Sequence, residues 1–159
     1  MKVKTYIIVG YALLTLFFAQ EIFDLRWHAL SILQQDELYK RWTGVGLLIV
    51  ISLQWSLTFV RNNKNTPVAT LDKFYSLHKW LGALSPLFFY VHSMKLGFMY
   101  LFFLSITFFL NIILGYTNLE ILKAAPKWVF QLWMILHVSL SVVVTTLTLY
   151  HIVVALYYE

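Results

Sequence analysis

Hydrophobic residues fill five long stretches of this chain, and the charged and turn-forming residues collect in the short segments between them. The stretches cover roughly residues 3–20, 42–60, 72–93, 96–116 and 127–157. Each has about the 18 or more residues that a helix needs to cross a bilayer, so five transmembrane helices are expected. Glu21 to Arg41 mixes charges with Ile22, Phe23, Leu25, Trp27, Leu30 and Leu33, the composition of a short amphipathic piece lying along the membrane surface. Arg61-Asn62-Asn63-Lys64-Asn65-Thr66-Pro67 reads as a polar turn, and Asp72 is a candidate cap for the third helix. The connection from Ser93 to Gly97 is so short that the third and fourth helices must be antiparallel neighbours. Thr117 to Lys127 forms the last loop, with Pro126 suited to the first turn of the fifth helix.

Composition agrees with a membrane protein. Of 159 residues, 60% are hydrophobic, 18% aromatic and only 12% charged, and no polar stretch is long enough for a second fold. A single all-α integral membrane domain over residues 1–159 is expected, a bundle of about five helices. The absence of cysteine excludes disulfides, thiolate-bound iron–sulfur clusters and c-type haem attachment. The opening Met1-Lys2-Val3-Lys4 has the charge pattern of a signal peptide. Phe17-Phe18-Ala19-Gln20-Glu21 offers no small-x-small cleavage site, so a retained first helix is expected.

The net charge of +5 reads as a topology signal rather than a nucleic-acid footprint. On the N-terminal side of the expected helices lie Lys2, Lys4, Arg61, Lys64, Lys73, Lys79, Lys123 and Lys127, against Asp72 and Glu120. The opposite side has Arg26, Lys40, Arg41 and Lys95 against Glu21, Asp24, Asp36, Glu37 and Glu159. Eight basic groups against four place the N-terminus in the cytoplasm and the C-terminus outside, in a plasma or bacterial inner membrane.

The candidate chemistry is a spacing that occurs twice. His78 and His92 lie fourteen residues apart in the third stretch, and His137 and His151 fourteen apart in the fifth. Fourteen residues is close to four helical turns, so each pair shares a face, its rings about 21 Å apart along the axis. With one helix between them, the two His-bearing helices run in the same direction. His78 and His137 then share one depth, and His92 and His151 another. Ionisable residues inside a membrane are costly to keep and are functional candidates by default, although any single histidine can serve as an interhelical hydrogen-bonding group. Two matched pairs point to two haems, one above the other, each clamped by one histidine from each helix. A zinc or copper site fits less well, since no carboxylate or thiolate lies at matching depth.

Gly82 and Ser141, each one turn beyond a first histidine, and Ser85, midway between His78 and His92, are small residues on the ligand faces that leave room for a flat macrocycle. Close helix packing accounts for them equally well. Pro86 is expected to kink the third helix. Lys73, Lys79 and Lys127 on one side, and Arg41 and Lys95 on the other, are available to propionates, though topology alone explains them. Trp80, Phe88, Phe89 and Trp133 read as lipid-facing or interfacial aromatics, and His28 as a surface histidine.

His78-Lys79-Trp80-Leu81-Gly82 followed by His92 resembles the His-Arg-Trp-Leu-Gly…His pattern of the ferric reductase-like transmembrane domain superfamily. That superfamily includes ferric reductases, NADPH oxidases and the haem subunit of bacterial methionine sulfoxide reductase systems. Trp133 ahead of His137, with His151 beyond, fits its other ligand helix. The resemblance implies single-electron transfer across the membrane through two b-type haems, the inner on His78 and His137, the outer on His92 and His151. It differs from the family in Lys79 for the usual arginine and in a second pair one residue wider than in many members. Neither a sixth helix nor the family's flavin and nicotinamide domains are expected within these residues, which contain no glycine-rich dinucleotide fingerprint. Electrons are therefore expected from a quinol or a separate flavin reductase, and delivery to an outward-facing partner protein or metal ion. Equal fourteen-residue intervals also resemble the cytochrome b of quinol-oxidising complexes. A stand-alone ferric reductase, a quinol-oxidising anchor subunit and a non-redox scaffold or transport protein stay open beside the electron-transfer reading.

Overall fold

The computed structural model describes residues 4–117 and 124–158. Residues 1–3, with Lys2, and Glu120, Lys123 and Glu159 lie outside the described residues, so their assignment to a membrane side rests on sequence alone. Among the described residues the regular structure is all helical, without a strand. It comprises α1 (Thr5–Ile22), α2 (His28–Leu33), α3 (Glu37–Asn62), α4 (Val68–His92), α5 (Tyr100–Gly115) and α6 (Lys127–Tyr158). Three of them, α1, α3 and α6, are long and apolar enough to cross a membrane, compatible with an integral membrane protein. α5 is apolar but only 16 residues long, about 24 Å at 1.5 Å per residue. α4 has 25 residues, but Asp72, Lys73, His78, Lys79 and His92 dilute its apolar character.

The helix ends follow from local chemistry. α3 begins at Glu37, ahead of its apolar run, because the Asp36 side chain accepts a hydrogen bond from Tyr39 N at 2.7 Å. Such a cap satisfies one of the backbone donors that a helix start leaves open. Its end turns through Asn63, whose Oδ1 accepts from Asn65 N, while Thr66 Oγ1 donates back to Val60 O. Gly97 precedes α5 at φ +81°, and a Cβ there would lie 2.6 Å from Leu101 Cβ, so the turn into α5 admits only glycine.

The chain divides into two compact units, Met1–Lys95 and Leu96–Glu159. In the first, α4 packs against both α1 and α3. Phe17 of α1 meets Phe89 edge-on at 5.4 Å and Tyr90 at 6.4 Å, and Ala83 and Pro86 of α4 are fully covered. The polar end of α4 is clasped by the connection from α1 to α3. Gln34 Nε2 donates to Tyr90 O at 2.8 Å and Val91 O at 3.0 Å, and its Oε1 accepts from Met94 N at 3.2 Å. Tyr39 Oη donates to Val91 O, and Arg26 Nη1 and Gln20 Nε2 donate to Met94 O. Those of Tyr90 and Val91 are carbonyls that a helix terminus leaves without partners, and Met94 lies just beyond the end of α4. Arg26 is itself held by Glu21 at 3.0 Å and Asp24 at 2.9 Å. Burial works against its charge, but the two carboxylates outweigh burial and hold its pKa above the ordinary arginine value.

In the second unit α5 packs on α6. Phe108, Phe109, Ile112, Tyr116 and Val144 are buried there. Ser105 Oγ lies within hydrogen-bond distance of both Leu96 O and Leu101 O, which ties the loop to α5. Trp133 Nε1 donates to Leu114 O at 2.9 Å and fixes the start of α6 on the end of α5.

Replacing Gln34 by Ala removes the side-chain donor to Tyr90 O and the side-chain acceptor for Met94 N, and leaves Val91 O with Tyr39. The expected loss is about 1–3 kcal/mol, the cost of an unsatisfied buried polar group. Reversible unfolding of the two proteins in mixed micelles measures it.

Candidate functional site

His78 and His92 lie on α4 and His137 and His151 on α6, all four half-buried. In both units the helix that comes earlier in the chain presses polar or small groups onto the imidazole rings.

Within the first unit that helix is α3. His92 Nδ1 sits 3.2 Å from Thr43 Oγ1, and a Cβ on the adjacent Gly44 would come within 3.2 Å of His92 Cε1. Glycine therefore makes the seat for this ring, and threonine meets its polar edge. His78 Nδ1 lies 3.2 Å from the backbone carbonyl of Gln54. In the orientation that satisfies its carboxamide, the Gln54 side chain places its nitrogen 2.7 Å from His78 Nδ1 and 3.2 Å from His78 O, and its oxygen accepts from Gly82 N at 2.8 Å. Gln54 thus meets Nδ1 with a carbonyl acceptor and an amide donor together. It fixes where that edge lies without selecting which nitrogen carries the proton.

Within the second unit the earlier helix is α5. Tyr100 Oη is 3.3 Å from His151 Nδ1. A Cβ on Gly115 would come within 3.4 Å of His137 Cε1. The Trp133 indole stacks on the His137 ring at 5.7 Å with planes 2° apart, and its N–H bond to Leu114 O fixes that plane. Asn111 Nδ2 donates to Ser141 Oγ at 3.0 Å, and Ser141 Oγ donates to His137 O at 2.8 Å. Asn111 Oδ1 is buried and has no hydrogen-bond partner among the described residues.

The remaining expected residues fall as follows. Gly82 lies beside the Gln54 side chain. Ser85 is buried, its hydroxyl returned to Leu81 O at 2.7 Å. The Lys79 ammonium rests on the Tyr75 ring at 3.5 Å, with Tyr6 at 5.5 Å, a cation–π arrangement. Lys73, Lys95 and Lys127 are exposed, and Arg41 approaches Glu37 at 4.0 Å. Trp80 meets Tyr6 edge-on, and Phe89 belongs to the core rather than to a lipid-facing surface. His28 is exposed at the start of α2, its carbonyl taken by Ser31 Oγ.

Thr43, Gly44, Gln54, Tyr100, Asn111 and Gly115 did not emerge from sequence reasoning. The available signal was a polar or glycine residue inside an apolar run at the depth of a histidine on the next helix. Gln54 stands out on that criterion, being flanked by Ile51, Leu53 and Trp55.

Among the described residues no three of His, Cys, Asp and Glu gather as they would around a zinc ion. A haem axial position asks for only one imidazole nitrogen, with the other commonly held by a neighbouring acceptor. Each of His78, His92 and His151 has an oxygen within hydrogen-bond distance of Nδ1, a group able to act as that acceptor. Comparison with known proteins finds no matching family model, no matching curated protein and no matching solved structure.

Two glycines of α3 give a direct test of the ring seat. A Cβ on Gly46 meets nothing within 4 Å, whereas one on Gly44 meets His92. Gly46→Ala is expected to gain up to about 1 kcal/mol from helix propensity. Gly44→Ala is expected to lose that gain to the contact with the ring. Paired unfolding curves in micelles read the difference.

Proposed function

We propose that this chain is a membrane cytochrome that holds two b-type haems and passes single electrons from the cytoplasmic face to the opposite face. The observation that carries the reading is the pair of equal fourteen-residue histidine intervals on α4 and α6. It is supported by the Nδ1 contacts from Gln54, Thr43 and Tyr100. Imidazoles set inside apolar helices and contacted at Nδ1 suit metal ligation through the other ring nitrogen.

In this reading α4 and α5 cross the membrane with α1, α3 and α6, making five spans. α4 packs against both α1 and α3, and His78, Lys79 and His92 are half-buried there. His78 and His137 hold the inner haem and His92 and His151 the outer one, and the resemblance to the ferric reductase-like superfamily points the same way. Bound there, the haems supply one-electron oxidation and reduction. The protein's own part is to hold the imidazoles, keep them neutral and exclude water with apolar side chains. With both imidazoles of a pair holding its iron, each haem would serve electron transfer, and oxygen or substrate chemistry would belong to a partner. The donor is a quinol or a separate flavin reductase on the basic, cytoplasmic side, and the acceptor a protein or metal ion on the other.

The hydrogen bonds at the histidines also suit a scaffold in which imidazoles only join helices. A pyridine haemochrome assay on the purified protein separates the two readings. Two b-type haems per polypeptide are expected, and none would leave the scaffold reading standing. His92→Ala is expected to remove one haem and leave the other largely bound. Loss of both from a folded variant would contradict independent sites.

The direction of transfer has its own test. The protein is reconstituted in sealed vesicles of known orientation, with an impermeant acceptor confined to the lumen or to the outside. A quinol, or a soluble flavin reductase on the cytoplasmic side, is expected to reduce an acceptor held across the membrane. Retention of electrons on the donor side, with both haems present and reducible, would refute transmembrane transfer.

A further inference from the structure

The four histidines are not held alike, and His92 meets a group whose proton is already committed elsewhere. Thr43 Oγ1 donates to Tyr39 O, one turn back on α3, at 2.8 Å, with Lys40 O at 3.2 Å. Carbonyl oxygens can only accept, so the single hydroxyl hydrogen points back along α3. What faces His92 Nδ1 at 3.2 Å is then an oxygen lone pair. A lone pair can be met only by an N–H, so Nδ1 carries the proton of the neutral ring. Nε2 is left as the basic nitrogen. Gly44 keeps the ring in this position, because any side chain there would start 3.2 Å from Cε1. Tyr100 Oη can donate to or accept from His151, and Gln54 brings both kinds of group to His78, so neither imposes a tautomer in this way.

We propose that Thr43 is a positioning residue that locks His92 in the Nδ1–H tautomer and thereby sets the reduction potential of the outer haem. This rests on the di-haem reading for its redox part. The tautomer part stands on the contact between Thr43 and His92 alone. An imidazole that donates from Nδ1 to oxygen is the more basic ligand at Nε2, and the more basic ligand favours ferric over ferrous iron. Losing the acceptor therefore raises the potential of the haem that His92 holds.

The experiment uses the full chain in lipid nanodiscs as wild type, Thr43→Val, Thr43→Ala and Thr43→Ser. Valine keeps the shape of threonine and removes the hydroxyl, and alanine serves the same purpose should valine disturb folding. Serine keeps the hydroxyl. In the first arm, two-bond proton–nitrogen NMR of ¹⁵N-histidine in haem-free protein reports the tautomer of His92. The expected result is Nδ1–H in wild type and Thr43→Ser, and a shift towards Nε2–H in the other two. In the second arm, optical redox titration follows both haems. Thr43→Val is expected to shift the ferric-to-ferrous balance of one haem about tenfold, about 59 mV for a one-electron couple. The other haem is expected to stay fixed, and Thr43→Ser to restore the first. An Nε2–H tautomer in wild type overturns the proposal whether or not haem binds. Unchanged potentials in the hydroxyl-less variants overturn its redox part while leaving the di-haem reading intact. A wild-type protein that takes up no haem refutes the di-haem reading and the redox part with it, and the first arm still decides the tautomer.

Discussion

An imidazole inside an apolar helix carries an N–H and a lone pair, and hydrocarbon supplies a partner for neither. Each unsatisfied group of this kind costs several kcal/mol in an apolar environment. The placement of His78, His92 and His151 is therefore inseparable from what stands opposite their Nδ1 atoms. Three polar residues of α3 and α5 stand at those atoms. Thr43, Gln54 and Tyr100 sit in helices otherwise built to face lipid or apolar neighbours.

The two units meet the constraint by parallel means. Each has a helix whose glycine clears space at one ring, Gly44 for His92 and Gly115 for His137, with Cε1 the approached atom in both. Each also has a side chain that stiffens the arrangement from the backbone. In the first unit Gln34, Tyr39, Arg26 and Gln20 close the carbonyl end of α4 just past His92. In the second, Trp133 is tied to Leu114 O and lies flat on His137. A ring held by a lone hydrogen bond can still swing about its side-chain torsions. A ring held on an edge and against a face, on a helix whose own end is fixed, has far less freedom.

What could be read from the sequence was the content of single helices. Apolar run length pointed to an all-helical chain with helices able to cross a membrane, and the fourteen-residue intervals singled out four histidines within their own segments. The environment of those histidines depends on which residue of one helix lies beside which residue of another, and periodicity within a single segment does not encode that register. Gly82 illustrates the gap. Its smallness was legible and suggested room for a macrocycle, while the structure sets the Gln54 carboxamide beside it. Lys79 is similar, since its charge and motif position were plain but its seat on the Tyr75 ring needed the helix geometry. The start of α3 at Glu37 turned on the side chain of Asp36, which lies outside the apolar run that marked the helix.

The register itself differs between the two helix pairs, and the difference explains why glycine and polar contacts fall as they do. In the second unit Gly115 faces His137, Asn111 four residues back faces Ser141 four residues on, and Tyr100 eleven further back faces His151 ten further on. That is the correspondence of a closely paired antiparallel hairpin, with nearly equal steps on both helices. In the first unit the contacts to His78 and His92 are fourteen residues apart on α4, but Gln54 and Thr43 are only eleven apart on α3. Three residues of rise, about 4.5 Å, must be made up by side-chain reach and helix inclination. The contacting groups show how part of it is absorbed, because His78 is met by a main-chain carbonyl and His92 by a side-chain hydroxyl. A strictly matched α3 would put Lys40 opposite His92, and a lysine ammonium has no lone pair to accept the ring N–H. The offset thus brings an oxygen that can accept the ring N–H to His92 in place of a cation.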